Sequence, residues 1–331
     1  MPNPDKHSWH IRFNLPQKAI LSMLNHPPQR PPMLTDYLDF EQPLETFDAL
    51  KTGSATNREK LLKTIYKTLT PYQQMMVARH RDRPQTLDYI QALFSTPISL
   101  SGDRVSGRCP ATVAVLAKFQ QQPVIVVGHQ KGRCTQDRIR HQYGMPNPCG
   151  YRLALRAFKL AEKYQIPIIT LIDTPGAYPG INAEIQNQSS AISENIMYLS
   201  TVKTPVINVI IGEGMSGGAL GIGVGDQMLM LENSVFSVIS PEGCAAILWN
   251  DARMKEQTAQ LMQINPQSLL QHGLIDQIIP EGKYHAAHVD WEGTFDKVGQ
   301  YLITTLHALQ KQDLNHLVAL REKKLFKYGS L

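Results

Sequence analysis

The sequence predicts an α/β fold built from repeated strand–strand–helix units, preceded by a helical arm. Two observations carry this expectation. First, Ile166 to Ile172 and Pro205 to Ile211 are β-branched runs of the kind that forms strands buried on both faces. Each leaves its carboxyl end through a glycine-containing turn, Asp173 to Gly180 and Gly212 to Gly218. Second, helix-period segments lie between such runs. Tyr151 to Tyr164 sets Leu153, Ala157, Leu160, Ala161 and Tyr164 on one side and Arg152, Arg156, Lys159 and Lys163 on the other. That basic stripe reads as a solvated face.

In chain order, residues 1–32 are an extension rich in proline, with Pro2, Pro4, Pro16, Pro27, Pro28, Pro31 and Pro32. It is expected to be flexible, apart from a short amphipathic helix over Gln17 to Asn25. Residues 33–100 are expected as a helical arm, with helical patterning through residue 98. Leu61, Leu62, Ile65 and Tyr66 share a face, Pro71 follows Thr70 at a first helical position, and Leu87, Ile90, Leu93 and Phe94 form a third stripe. The arm has too little apolar surface for its own core, so it should pack on the main domain or a partner. Arg81-Asp82-Arg83-Pro84 reads as a solvated turn.

Residues 101–312 form the main domain. Thr112 to Ala117 and Pro123 to Gly128 are strands joined through Gln120-Gln121-Gln122 as a hairpin, followed by the basic loop from Gly128 to Arg133. Glu184 to Leu199 is a helix. Met228 to Leu231 and Val235 to Ile239 are strands, Ser240-Pro241-Glu242-Gly243 opens a helix, Leu274 to Ile279 closes the sheet, and Trp291 to Gln310 is a long helix. Residues 313–331 are a C-terminal tail.

Composition narrows the function. A chain of 331 residues with 42% hydrophobic content can bury one large core or two moderate ones. A net charge of +5 spread along the chain gives no basis for a nucleic-acid or membrane partner. Cys109, Cys134, Cys149 and Cys244 are far apart with no C-x-x-C pair, which excludes a local zinc ribbon and points to a reducing cytoplasm. No apolar run approaches the roughly 18 residues of a membrane span, and the N-terminus carries no secretory h-region.

Three chemistries compete for the glycine-rich stretch after Ile211. Gly212-x-Gly214-x-x-Gly217 with Glu232 fits a dinucleotide fingerprint, although Gly221, Gly223 and Gly225 leave little room for the crossover helix. Gly214-x-Ser216-x-Gly218 fits a hydrolase elbow, with Asp251, Asp276, His272, His285 and His288 downstream. The third is an oxyanion hole of backbone N–H groups, chiefly those of Gly217 and Gly218. A plain packing turn also accounts for the glycines, so this stretch alone does not choose.

The rest of the chain does. Tyr37 to Glu41, Arg83 to Tyr89, Gly128 to Arg133, Gly144-Met145-Pro146, Asp173 to Gly180, Ile211 to Gly214 and Ser237 to Cys244 together resemble the alpha subunit of bacterial and plastid acetyl-CoA carboxylase carboxyltransferase. The resemblance runs from about Leu38 to Gly329, leaving the dinucleotide and hydrolase readings little weight. It implies a ββα spiral of the crotonase superfamily. It also implies transfer of a carboxyl group from carboxybiotin, held on a separate carrier protein, to acetyl-CoA, giving malonyl-CoA for fatty acid or specialised precursor supply. The partner would be a beta subunit of the same fold carrying a zinc ribbon, in an alpha2beta2 assembly, with no metal on this chain. Carboxybiotin loses its carboxyl group while the thioester becomes an enolate, so two oxyanions need two holes, one per subunit. The alpha hole would be the N–H groups of Gly217 and Gly218. Gly176, Ala177, Tyr178, Gly214, Met215, Ser216, Lys131 and Arg133 would line the biotin or substrate site.

The chain departs from the family pattern in three places. Met215 stands where the family has glycine. Gly180 to Gln188 carries Ile185 and Gln186 where the family has glutamate and arginine. Gly107-Arg108-Cys109-Pro110 replaces an acidic stretch. These departures suggest a divergent paralogue, and they leave open a different acyl-CoA or a catalytically impaired assembly subunit.

Overall fold

In this computed structural model the described residues are Leu34, 36–50 and 54–329; the expected extension and its helix lie outside them. One sheet of eight strands carries the fold: β1 (Ser95–Leu100), β2 (Thr112–Phe119), β3 (Gln122–His129), β4 (Ile168–Thr174), β5 (Val206–Met215), β6 (Gln227–Leu231), β7 (Val235–Ser237) and β8 (Gln277–Ile279). The strand order is β1-β2-β3-β4-β5-β6-β8, antiparallel over the first three and parallel from β3 onward. The β2–β3 hairpin turns through Gln120 and Gln121, both at positive φ, as a two-residue hairpin turn with the strand's own twist requires.

The two faces of the sheet are covered separately, and side-chain alternation sorts residues between them. Val113, Val115, Val126, Ile169, Leu171, Ile207 and Val209 pack beneath helices Thr86–Leu93 and Trp291–Gln310. Ala114, Ile125, Val127, Ile168, Ile172, Val206 and Ile210 pack beneath helices Pro148–Tyr164 and Gln188–Thr201. Asn208, the lone polar residue in the β5 run, is fully buried. Its amide donates to Thr170 Oγ1 (2.7 Å) and to the Ile222 carbonyl (3.1 Å), which offsets its desolvation.

β5 forks. Ile207 to Ile210 pair with β6, whereas Glu213 to Met215 pair with β7. The β4–β5 register slips between Ile172 and Thr174, so β5 gains residues where it swings away. Through this fork one strand serves two neighbours, β6 along its first half and β7 at its end.

Helices fall largely where the apolar period puts them. Trp291–Gln310 has its expected bounds, and Ser240 Oγ accepts the Gly243 N–H at the start of helix Pro241–Trp249. Five expectations need correction. The helical patterning to residue 98 ends at Leu93, because Ser95–Leu100 joins the sheet edge as β1. The helix from Glu184 is split into Ile181–Ile185 and Gln188–Thr201 at Asn187, which sits at φ 62°.

Arg81-Asp82-Arg83-Pro84 is not a solvated turn, since only Arg81 is exposed. Arg83 is buried, donating to the Ile211 carbonyl (2.7 Å) and forking onto Glu281. The basic stripe of helix Pro148–Tyr164 is only partly solvated: Arg152 pairs with Asp103 (2.8 Å), and Arg156 donates to the Gly102 carbonyl. The arm itself packs on the main chain through Leu44, Leu62, Tyr66 and Val77 against Ala286 and Val289. Residues expected as a tail form helix Leu314–Lys327, whose Arg321 is buried.

Candidate active site

The glycine turn after β5 is a helix start. Met215 is its N-cap, and Ser216–Leu220 makes little more than one turn. Ser216 is exposed with φ 57°, a left-handed conformation that a non-glycine side chain adopts only under constraint. The next amides, of Gly217 and Gly218, belong to the first turn and have no acceptor inside the helix.

Gly218 packs against the second turn. A Cβ there would stand 2.6 Å from the Ala177 N and inside the Gly176 carbonyl carbon. The two turns therefore touch backbone to backbone, and no larger residue fits. Gly217 differs: a Cβ would meet only the Ile192 side chain, at 3.7 Å. On the other turn, Gly176 takes φ 146°, and the space where its Cβ would stand is open. Thr174 Oγ1 donates to the Gly176 carbonyl (2.7 Å) and accepts the Gly176 N–H (3.1 Å), which holds the turn shut on itself. The half-buried Tyr178 covers Gly180, while its N–H donates to the Pro146 carbonyl (2.9 Å).

Beneath the turns runs a chain of alternating charges. Lys131 Nζ lies 2.6 Å from both Asp173 Oδ1 and Glu213 Oε2, Arg79 Nε donates to Glu213 Oε1 (2.7 Å), and Arg79 Nη1 reaches Glu242 (2.8 Å). Burial works to raise the Glu213 pKa, but Lys131 and Arg79 outweigh it and hold it down at about 2. His129 is buried beside them. Burial, and then the charge of Lys131, push its pKa down to about 3, so it is neutral. Its Nδ1 accepts the Asp173 N–H (3.2 Å), which leaves the proton on Nε2.

The expected site residues therefore separate. Gly217, Gly218, Gly176, Ala177, Tyr178 and Ser216 come together around the two turns. Gly214 lies within β5, paired with Thr174 and Phe236. Met215 turns into an apolar cluster with Met75, Ala78, Val235 and Ile264 and is 2% exposed, so its side chain faces the core rather than the cleft. Lys131 is spent on Asp173 and Glu213. Arg133 pairs with Asp88 through one terminal nitrogen and stacks on Trp291, its guanidinium carbon 4.9 Å from the ring. Both basic residues thus serve the fold's own ion pairs.

The competing chemistries find no support. Gly212 and Gly214 sit inside a strand rather than in a phosphate loop, and Glu232 pairs with His285 (2.9 Å). The residues that would complete a hydrolase triad have other partners: His288 with Glu41, His272 with Gln263, Asp251 with Arg253, Asp276 with Lys324. Residues missed in the sequence are Asp173, Glu213, Arg79 and His129; the placement of Asp173 and Glu213 at two strand ends is the one local signal that could have raised them.

Among the described residues, Glu41, His80 and His288 have ligand-type atoms within 4.8 Å of one another. They form a hydrogen-bonded knot: Tyr66 donates to Glu41 (2.6 Å), Asp82 N–H donates to His80 Nδ1 (3.1 Å), and His80 Nε2 faces the Asp36 carbonyl (3.1 Å). The four cysteines are free, and no described helix is long and apolar enough to cross a membrane.

Comparisons with known proteins bear on the family and the fold. A family model described as acetyl co-enzyme A carboxylase carboxyltransferase-like matches residues 39–329. The acetyl-coenzyme A carboxylase carboxyl transferase subunit alpha of Campylobacter lari is 44% identical over 309 residues, 90% of this chain and 99% of that protein. The subunit of the same name from Thiobacillus denitrificans is 44% identical over 316 residues, 90% and 98% of the two chains. Among solved structures, a transcarboxylase 12S shares the fold with a TM-score of 0.55 at 17% identity over 67% of this chain, which spans 42% of that one. A Pseudomonas malonate decarboxylase hetero-dimer chain gives 0.50 at 14% identity, over 66% of this chain and 90% of that one. The crotonase-like spiral expected from the sequence is thus the fold observed.

Proposed function

Because this chain belongs to the acetyl co-enzyme A carboxylase carboxyltransferase family, we propose that it is the alpha subunit of a biotin-dependent carboxyltransferase that converts acetyl-CoA to malonyl-CoA. The observation that carries the reading is the alpha-subunit likeness itself, 44% over 90% of the chain, which takes in both glycine turns.

The geometry supports a site for a flat ring brought close to backbone. Gly176 has open space in place of a side chain, and the missing Cβ of Gly217 leaves only Ile192 at van der Waals distance, so the residues fit biotin. When bound, biotin would supply the transferable carboxyl group. The chain's own part is electrostatic. The Gly217 and Gly218 N–H groups donate to the oxygen on which negative charge develops, each such donor contributing about 3 kcal/mol in the transition state. Their value rests on being fixed in advance, and the contact between Gly218 and the Gly176-Ala177 backbone fixes them. Tyr178 shields the rim. Ser216 is a neighbour of the donors, not a nucleophile.

We further propose that a zinc-ribbon beta subunit completes the site, that a separate carrier protein presents the biotin, that the assembly is alpha2beta2, and that it works in the cytoplasm, where four free cysteines are stable. The test is to assay malonyl-CoA decarboxylation with biocytin on the chain alone and with its beta subunit. Activity is expected only from the pair, and turnover by the single chain overturns the reading. In the pair, Gly217→Val should lower the rate about 100-fold with the fold intact, since a branched side chain blocks the oxyanion but meets only Ile192. Ser216→Ala should keep most of the rate; loss there, with Gly217→Val active, restores the nucleophile reading.

A further inference from the structure

A cavity of about 370 Å³ opens between the arm and the segment that follows β3, lined by Arg79, Arg81, Arg133, Arg138, Thr135 and Asp36 among others. Four arginines face a volume large enough for a small ligand, and among the described residues Asp36 is the only carboxylate in the lining. Two of the four have little else to do. The closest carboxylate to Arg81 is Asp82, at 4.0 Å. The guanidinium of Arg138 has no hydrogen bond or ion pair among the described residues. A third, Arg133, is held by Asp88 but keeps its Nε buried without a partner. That buried Arg133 donor is unfavourable unless something fills it, while Arg81 is exposed and Arg138 half-buried, so both can turn to an incoming anion. A separate, smaller recess shares Arg79, Arg81 and Arg138 with this cavity and is lined also by Lys131 and Asp173, so Arg79 links the cavity to the charge chain under the glycine turns.

We propose that this cavity binds a ligand through a phosphate or pyrophosphate group. Guanidinium forks converging on one space match phosphate oxygens in geometry and charge, and Arg holds such groups in two parallel hydrogen bonds. A hydroxyl from Thr135 adds a neutral donor. An anion seated here also competes with Glu213 and Glu242 for Arg79, the guanidinium that the cavity shares with the charge chain. Two sources carry the same chemistry: a free phosphorylated effector, or the phosphates of CoA.

Titration calorimetry on the full chain with inorganic pyrophosphate and with CoA tests the proposal. A 1:1 isotherm is expected for at least one probe, weakening as salt is raised. Arg81→Gln and Arg138→Gln should each weaken it about tenfold or more. Both residues lack a close stabilising partner, so both variants should fold, as a matching melting temperature would show. Arg253→Gln, at a side chain 90% exposed and paired with Asp251, should change nothing. Binding of pyrophosphate but not CoA assigns the cavity to a free effector; binding of CoA lost in the same two variants assigns it to the CoA phosphates. No isotherm with either probe, or equal weakening by Arg253→Gln, overturns the proposal.

Discussion

The two ends of β5 are both held by buried charge, and they are built in opposite ways. At the amino end, Arg321 places all five of its N–H donors: on Asp226 (2.8 Å, twice) and on the carbonyls of Leu199, Val202 and Thr204. Asp226 also accepts the Val206 N–H (2.7 Å). Nothing is left over, and the group is sealed from water. At the carboxyl end the charges form an open chain, Asp173–Lys131–Glu213–Arg79–Glu242, whose outer members Arg79 and Glu242 keep 29% and 31% of their side chains exposed. A sealed cluster fixes chain ends together; an open one can exchange partners. The second kind lies under the glycine turns.

If this contrast holds, the largest stability loss should come from the sealed end. Arg321→Met should cost about 3–5 kcal/mol in urea unfolding, because it strands Asp226 in the interior, while the folded fraction keeps its rate. A loss under 1 kcal/mol would mean water reaches Asp226 and the seal is illusory. Met215→Gly should cost about 2–5 kcal/mol by opening a cavity among Met75, Val235 and Ile264, and should leave the acetyl-CoA to propionyl-CoA preference unchanged. A changed preference with unchanged stability would put Met215 back in the cleft. Lys131→Ala should cost about 1–3 kcal/mol by leaving Asp173 and Glu213 facing each other, with KM unaltered for both substrates; a raised KM would return Lys131 to substrate binding.

The smallest effect expected is on pH dependence. His129 is neutral in the fold, with its pKa lowered from 6.5 to about 3. Its contribution to stability is therefore complete above the unfolded value and declines as pH falls below it. The melting temperature should drop as pH falls from 6.5 toward about 3, and His129→Gln should flatten that drop. Glu213 adds a further loss that overlaps the lower part of this range, between its ordinary 4.5 and about 2. An unaltered pH profile in His129→Gln would show that other groups dominate.

Much of this was legible because it is local. The hairpin at Gln120-Gln121, the amphipathic helix ending at Tyr164, the Ser240 cap and the glycines at 217 and 218 are all specified by residues a few positions apart. The misreadings share a different cause. Arg83 reads as a solvent residue until Glu281, nearly 200 positions away, is brought against it. Lys131 reads as a ligand contact until β4 and β5 deliver Asp173 and Glu213 to its ammonium. Ser95–Leu100 has no strong strand pattern and becomes a strand by adding to the exposed edge of β2. Met215 follows from the fork in β5, which rotates it toward the arm. Long-range pairing decides each of these, and nothing in the local sequence encodes it.

The backbone contact between Gly218 and the Gly176-Ala177 turn also limits how the site can evolve. Where side chains meet, a family can tune the gap between two loops by trading volume for volume. Where main chain meets main chain, no substitution can lengthen or shorten the gap, and the floor is frozen. Side chains can be exchanged freely only away from that contact, as at Ile181 and Ile185, which stand 75% and 72% exposed. A change of surface there leaves the backbone contact between the two turns untouched.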